Sequence, residues 1–111
     1  MSNKLHCKID DKEIKLWQTP TRITDILLVN EHGALDPFDK LTGKHAKRVM
    51  RAYINWVWHQ RYEINLYHYD GKSNKENYDK HIKYYTERGD AHIKEIKDAM
   101  KKCKKIEVWS M

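Results

Sequence analysis

Hydrophobic and polar positions alternate in twos at both ends of the chain and recur at helical spacing between them. Leu5, Cys7 and Ile9 alternate with Lys4, His6 and Lys8, and Ile14 and Leu16 alternate with Glu13 and Lys15. A period of two marks strands, so residues 4–17 predict a β-hairpin with Asp10-Asp11-Lys12 as its turn. Thr19-Pro20 reads as a cap followed by proline at the first helical position, and Ile23, Ile26 and Leu27 follow at helical spacing. The spacing predicts a short helix over 20–31, stopped near His32-Gly33. Ala34 to Leu41 reads as a loop or a short helix.

Two long helices follow. At about 100° per residue, Ala46, Met50, Tyr53, Val57, Ile64 and Tyr67 share one sector of a helix over 42–69, with Val49, Ile54 and Trp56 on its flanks. Asp70-Gly71-Lys72-Ser73-Asn74 is a strong turn signal. Beyond it, Tyr78, Ile82, Tyr85, Ile93, Ile96, Met100 and Cys103 form the apolar stripe of a helix over 75–104, with Gly89-Asp90 as the place where it would kink or break. The short connection makes the two helices antiparallel neighbours. Ile106-Glu107-Val108-Trp109 alternates again and predicts a strand over 106–109 that joins the hairpin. The expected fold class is α+β. One domain over 1–111 would hold an N-terminal hairpin, joined by a C-terminal strand and packed on a long helical hairpin plus one short helix.

Composition sets the class. With 111 residues and 40% hydrophobic positions the chain can build one modest core, and 4 Trp and 7 Tyr against 4 Gly and 2 Pro exclude a disordered or collagen-like polymer. No apolar run nears the roughly 20 residues of a membrane span, and the N-terminus lacks the apolar stretch of a secretory signal. No membrane partner is expected, and a cytoplasmic location is. Cys7 and Cys103 make no CxxC or zinc pattern and are expected as reduced, buried thiols.

Charge is unevenly spread. The net +6 arises from 22 Lys and Arg against 16 Asp and Glu. Residues 1–39 carry 5 basic and 7 acidic groups, residues 40–71 carry 6 and 2, and residues 72–111 carry 11 and 7. The positive field therefore belongs to the C-terminal two-thirds, as suits a polyanionic or acidic partner, though a lysine-rich surface also serves solubility. Behind the core stripe of the first long helix, Lys44, Arg51, Trp58, Tyr62 and Tyr69 fall within a sector of roughly 40°, flanked by Lys47, Arg48, Asn55, His59 and Asn65. Aromatics among cations on an outer face fit a protein interface, for which the set Lys44, Arg48, Arg51, Trp58, Tyr62 and Tyr69 is the candidate. As the second reading they fit a nucleic-acid strand, with Lys101, Lys102, Lys104 and Lys105 as a second contact. The plain structural alternative is that this face packs on the hairpin.

Catalytic signals are weak. Glu31, His32, Asp36, Asp39 and His45 crowd the loop region 31–45 and could form an acid–base site, or serve as caps and turn residues. No phosphate loop, GxSxG, HExxH or HNH-like run occurs. A helix-turn-helix over 20–31 and beyond is disfavoured by Asp36 and Asp39, whose carboxylates would face phosphates. His81 and His92 sit at the stripe edge of the second long helix, where packing beside tyrosines is the simpler fate; neither metal nor cofactor is expected. Small size, lysine bias, aromatic richness and no catalytic signature together resemble accessory proteins of phages and mobile elements. That likeness implies a non-catalytic protein that inhibits or modulates a host macromolecule. Pairing two helical hairpins would also permit a homodimer.

Overall fold

The computed structural model describes the backbone of residues 4–32, 40–68 and 75–110, with side chains described over 4–28, 40–60, 80, 82–84 and 86–110. These residues form an α+β fold. In chain order they are β1 (Leu5–Ile9), β2 (Lys12–Ile14), α1 (Thr21–His32), β3 (Leu41–Thr42), α2 (Gly43–His68), α3 (Lys75–Lys102) and β4 (Ile106–Ser110). The strands make an antiparallel sheet in the order β2-β1-β4-β3.

The C-terminal strand does join the hairpin, and it does so at the centre of the sheet. Leu5, Cys7 and Ile9 on β1 lie opposite Ser110, Val108 and Ile106 on β4, and all six are buried. Alternation on both strands sends this set to one face of the sheet, which the helices cover. The sheet edges, β2 and β3, are only three and two residues long. Short edge strands limit pairing with other chains.

The hairpin turn is tighter than the sequence implied. Ile9 pairs with Lys12, so the loop is Asp10-Asp11 alone, with φ of 49° and 66°. Two positive φ angles define the turn type whose twist matches the flanking strands, and Asp tolerates them because its short side chain finds local partners. Here the Asp10 carboxylate accepts hydrogen bonds from the Lys104 and Lys105 amides at 2.8 and 2.9 Å, and the Asp10 N–H donates to the Lys105 carbonyl at 2.9 Å. The turn thereby fixes the passage from α3 to β4.

The start of α1 differs by one position from the expected cap. The Pro20 carbonyl accepts from the Ile23 and Thr24 amides, so Pro20 itself occupies the cap and Thr21 opens the helix. Thr19 turns its buried hydroxyl to that of Thr24 instead of capping an amide. The reading of Ala34 to Leu41 as loop or short helix missed β3. Leu41 is buried and pairs with Val108, but two residues leave no periodic signal. Residues 33–39 lie outside the described residues. Gly43, at φ 58°, takes the chain directly from this strand into α2.

Helix α2 buries Ala46, Val49, Met50, Tyr53, Ile54 and Val57 against the sheet, α1 and α3. Each large side chain among them contributes about 1.5–3 kcal/mol of burial. Helix α3 runs unbroken through Gly89, burying Ile93 and Ile96. A Cβ at Gly89 would lie 3.6 Å from Trp17 and 3.7 Å from Val57, so the bare backbone marks where α3 approaches α2 closely. No described helix is long and apolar enough to cross a membrane.

Candidate binding face

Helix α2 has two sides of opposite character, and its outer one is open. Lys44, Arg48, Arg51, Asn55 and His59 are exposed, and Trp58 keeps 39% of its surface in solvent. The face does not pack on the hairpin: the sheet is covered by the opposite side of α2. The side chain of Tyr62 and the whole of Tyr69 lie outside the described residues.

The antiparallel course of α2 and α3 brings cations from distant stretches together. A cavity of about 360 Å³ is lined by Thr42, Gly43, Lys44 and Lys47 on one side and Cys103, Lys104, Lys105 and Ile106 on the other. A second, of about 330 Å³, is lined by Lys47, Arg51, Lys97, Met100 and Lys101. Lys47 lines both, so the two lie side by side along a basic trough where the first turns of α2 meet the last turns of α3. Arg48 and Lys102 are exposed but line neither cavity.

Ion pairing is confined to one end of this trough. Lys105 Nζ lies 3.4 Å from Glu107 and 3.9 Å from Asp11. Among the described residues, Lys44, Lys47, Arg51, Lys97, Lys101 and Lys104 have no carboxylate within salt-bridge distance. Exposed amides in the first turn of α2 add partial positive charge beside Lys44, and Lys101 and Lys102 offset the negative end of α3. Six cations brought together without ion pairs among the described residues repel one another, tempered at Lys104 by the Asp10 carboxylate on its backbone amide, and an anion would relieve that repulsion.

Trp58 extends this edge. On the helical count Lys47, Arg51 and Trp58 fall within about 40° of one another, spread over about three turns. The Trp58 and His59 rings lie 5.2 Å apart in a T-shaped contact at 80°, and His59 donates its Nδ1–H to the Asn55 carbonyl at 2.7 Å. The neighbour that braces Trp58 is thus itself anchored to the helix backbone.

The inner side of the same helix pair carries a closed polar cluster that sequence patterning did not foresee. The Trp17 N–H donates to Tyr53 Oη at 2.7 Å, and Tyr53 Oη lies 2.7 Å from His92 Nε2. Oη thus bridges the Trp17 amide and His92 Nε2, one proton being shared along the Oη–Nε2 contact. Trp17 stacks on His92 at 5.6 Å with ring planes 4° apart. Burial holds His92 below the ordinary imidazole range against the opposing pull of Glu95, and burial pushes the Tyr53 phenol up. Tyr53 belonged to the expected stripe and His92 to its edge, but nothing in the spacing joined them to Trp17.

Little of the other expected chemistry falls on described side chains. The side chains of Glu31 and His32, and Asp36 and Asp39 entirely, lie outside the described residues, while His45 is exposed on the first turn of α2. Cys7 is fully buried, and desolvation, with a smaller contribution from Cys103, pushes its thiol up to about 12. Cys103 departs from the expected burial: it is only partly covered, at the wall of the basic trough. Among the described residues no three His, Cys, Asp or Glu side chains converge to hold a metal ion. Comparison with protein-family models, with curated proteins and with solved structures gives no match for this chain.

Proposed function

We propose that this is a non-catalytic binding protein whose ligand is a nucleic acid, held by its phosphates along the trough between α2 and α3. The observation that carries the reading is the convergence of Lys44, Lys47, Arg51, Lys97, Lys101 and Lys104 on two adjacent cavities, their side chains making no ion pair among the described residues. Cations spend their charge on each other's repulsion unless a polyanion lies between them, and a phosphate backbone supplies charges at regular short intervals. A protein partner docking on Trp58 fits the composition less well. Protein interfaces are depleted in lysine, and five of the six cations here are lysines.

The test is fluorescence anisotropy of a labelled oligonucleotide at several salt concentrations. Each phosphate contact lowers the log–log slope by about 0.7 on single strands and 0.9 on duplex, so a ligand spanning the six cations gives a slope of about −4 to −5. Lys47→Glu with Arg51→Glu should abolish binding at physiological salt while leaving the circular dichroism unchanged. Affinity that does not vary with salt, or is indifferent to the double variant, removes this reading in favour of a protein partner on the same face.

A further inference from the structure

Resting on that reading, we infer that the nucleic acid is single-stranded and that Trp58 is the plane on which one of its bases stacks. A duplex keeps its base faces stacked on one another and offers an outer surface only of phosphates, sugars and base edges. An aromatic plane in line with the cations has no use for such a surface, whereas an unpaired base presents a π-face of matching size.

Three features of the site bear on this. Trp58 is among the most exposed large hydrophobic residues described, at 39%, so part of its surface remains for a ligand to cover. It is braced before any ligand arrives by a T-shaped contact with His59, which is itself pinned to the Asn55 carbonyl. A ring already restrained loses less rotamer freedom on binding than a mobile one. It also lies at the end of the row Lys44, Lys47, Arg51, so a strand following the cations reaches it without a turn. From Lys44 to Trp58 the helix rises about 21 Å. At about 3.4 Å per nucleotide of a stacked strand, that length holds on the order of six nucleotides. The phosphates at the Lys44 end then face Lys104 across the first cavity, and those in the middle face Lys97 and Lys101 across the second.

The experiment compares three probes on the full chain at one moderate salt concentration: a twelve-nucleotide oligothymidylate, an abasic strand of the same length, and a twenty-base-pair duplex. Trp58→Ala should weaken the oligothymidylate about tenfold and leave the abasic strand within twofold, and Trp58→Phe should restore most of the loss. Lys47→Ala with Arg51→Ala should weaken all three probes. Should Trp58→Ala leave the oligothymidylate untouched while the double variant still weakens it, the stacking inference is overturned and the basic trough stands. A duplex that binds tighter than the strand overturns the stacking inference equally. Should no probe bind, or the double variant have no effect, the nucleic-acid reading itself fails and the stacking proposal with it.

Discussion

The two sides of the α2–α3 pair treat polar groups in opposite ways. On the inner side, the Trp17 amide, the Tyr53 hydroxyl and His92 Nε2 satisfy one another in a buried chain, with aromatic rings closing over it. On the outer side, Lys47, Arg51, Lys97 and Lys101 stand around an open cavity without carboxylates among the described residues. Tyr53 and His92 sit on the same two helices as the outer set, within a few turns of it. The inner set is complete without a ligand, because an unmet hydrogen-bonding group in the interior carries its full desolvation penalty. The outer set tolerates incompleteness because water screens it. Substitutions should therefore separate the two: inner changes act on stability and outer changes on binding.

The largest effect is expected at Tyr53. Tyr53→Ala deletes a fully buried ring and should destabilise the fold by about 3–5 kcal/mol in urea denaturation. Tyr53→Phe keeps the ring but leaves the Trp17 N–H and His92 Nε2 without their partner, for a loss of about 1–3 kcal/mol. A Tyr53→Phe protein as stable as the parent would mean that water enters and replaces the hydroxyl, and that the inner side is less closed than its geometry.

His92 makes the same comparison through pH. Its folded-state value is lowered from the ordinary 6.5, so the unfolded chain binds the proton more readily. Stability therefore declines as pH falls below about 6.5 and continues to decline until the folded-state value is passed. The cause is burial, which disfavours the charged imidazolium against the opposing pull of Glu95. His92→Gln keeps an acceptor and does not titrate, so its denaturation midpoint should fall less between pH 7.5 and 5 than that of the parent. Identical pH profiles for the two proteins would assign the acid sensitivity to the other histidines.

The elements were legible where a period repeats often enough to be counted. The strands around Cys7 and Val108, the burial of Ala46, Met50, Tyr53 and Val57, and the lysine-bearing outer side of α3 all follow from alternation or helical spacing. Features that depend on one residue meeting another across the chain were not legible. Asp10 adopts its strained turn because it binds the Lys104 and Lys105 amides, more than ninety residues away. The central place of β4, the two-residue β3 and the unbroken course of α3 through Gly89 have the same tertiary origin. The candidate face was half visible. Lys44, Arg51 and Trp58 share a helix and could be aligned by counting. Lys97 and Lys101 join Lys47 only because two helices run antiparallel, and no count along one helix places them at a shared cavity.

Gly89 offers a smaller test of the inner side. A Cβ there would meet Trp17 and Val57 at 3.6 and 3.7 Å, ordinary contact distances, so alanine should fit without displacement. Glycine inside a helix is less favourable than alanine by about 0.8–1.0 kcal/mol, and Gly89→Ala should recover about 0.5–1 kcal/mol. A loss instead would show that Trp17 cannot give even slightly, and hence that its stack on His92 is rigid.

The smallest effect, of opposite sign to that at Tyr53, is expected in the trough. Lys47→Gln removes one of several like charges that face each other without carboxylates, and it takes away no salt bridge found among the described residues. At low ionic strength it should stabilise the fold by a few tenths of a kcal/mol, the scale of like-charge pairs on exposed surfaces. The gain should vanish as the screening length falls from about 30 Å at 0.01 M salt to about 3 Å at 1 M. Denaturation of parent and variant at both extremes reads this directly. A variant less stable than its parent at low salt would mean that Lys47 contributes to the fold, so that its charge is not surplus and cannot be held ready for a ligand. Stabilisation that disappears with salt would mark the outer side as the one whose repulsion an incoming phosphate backbone relieves.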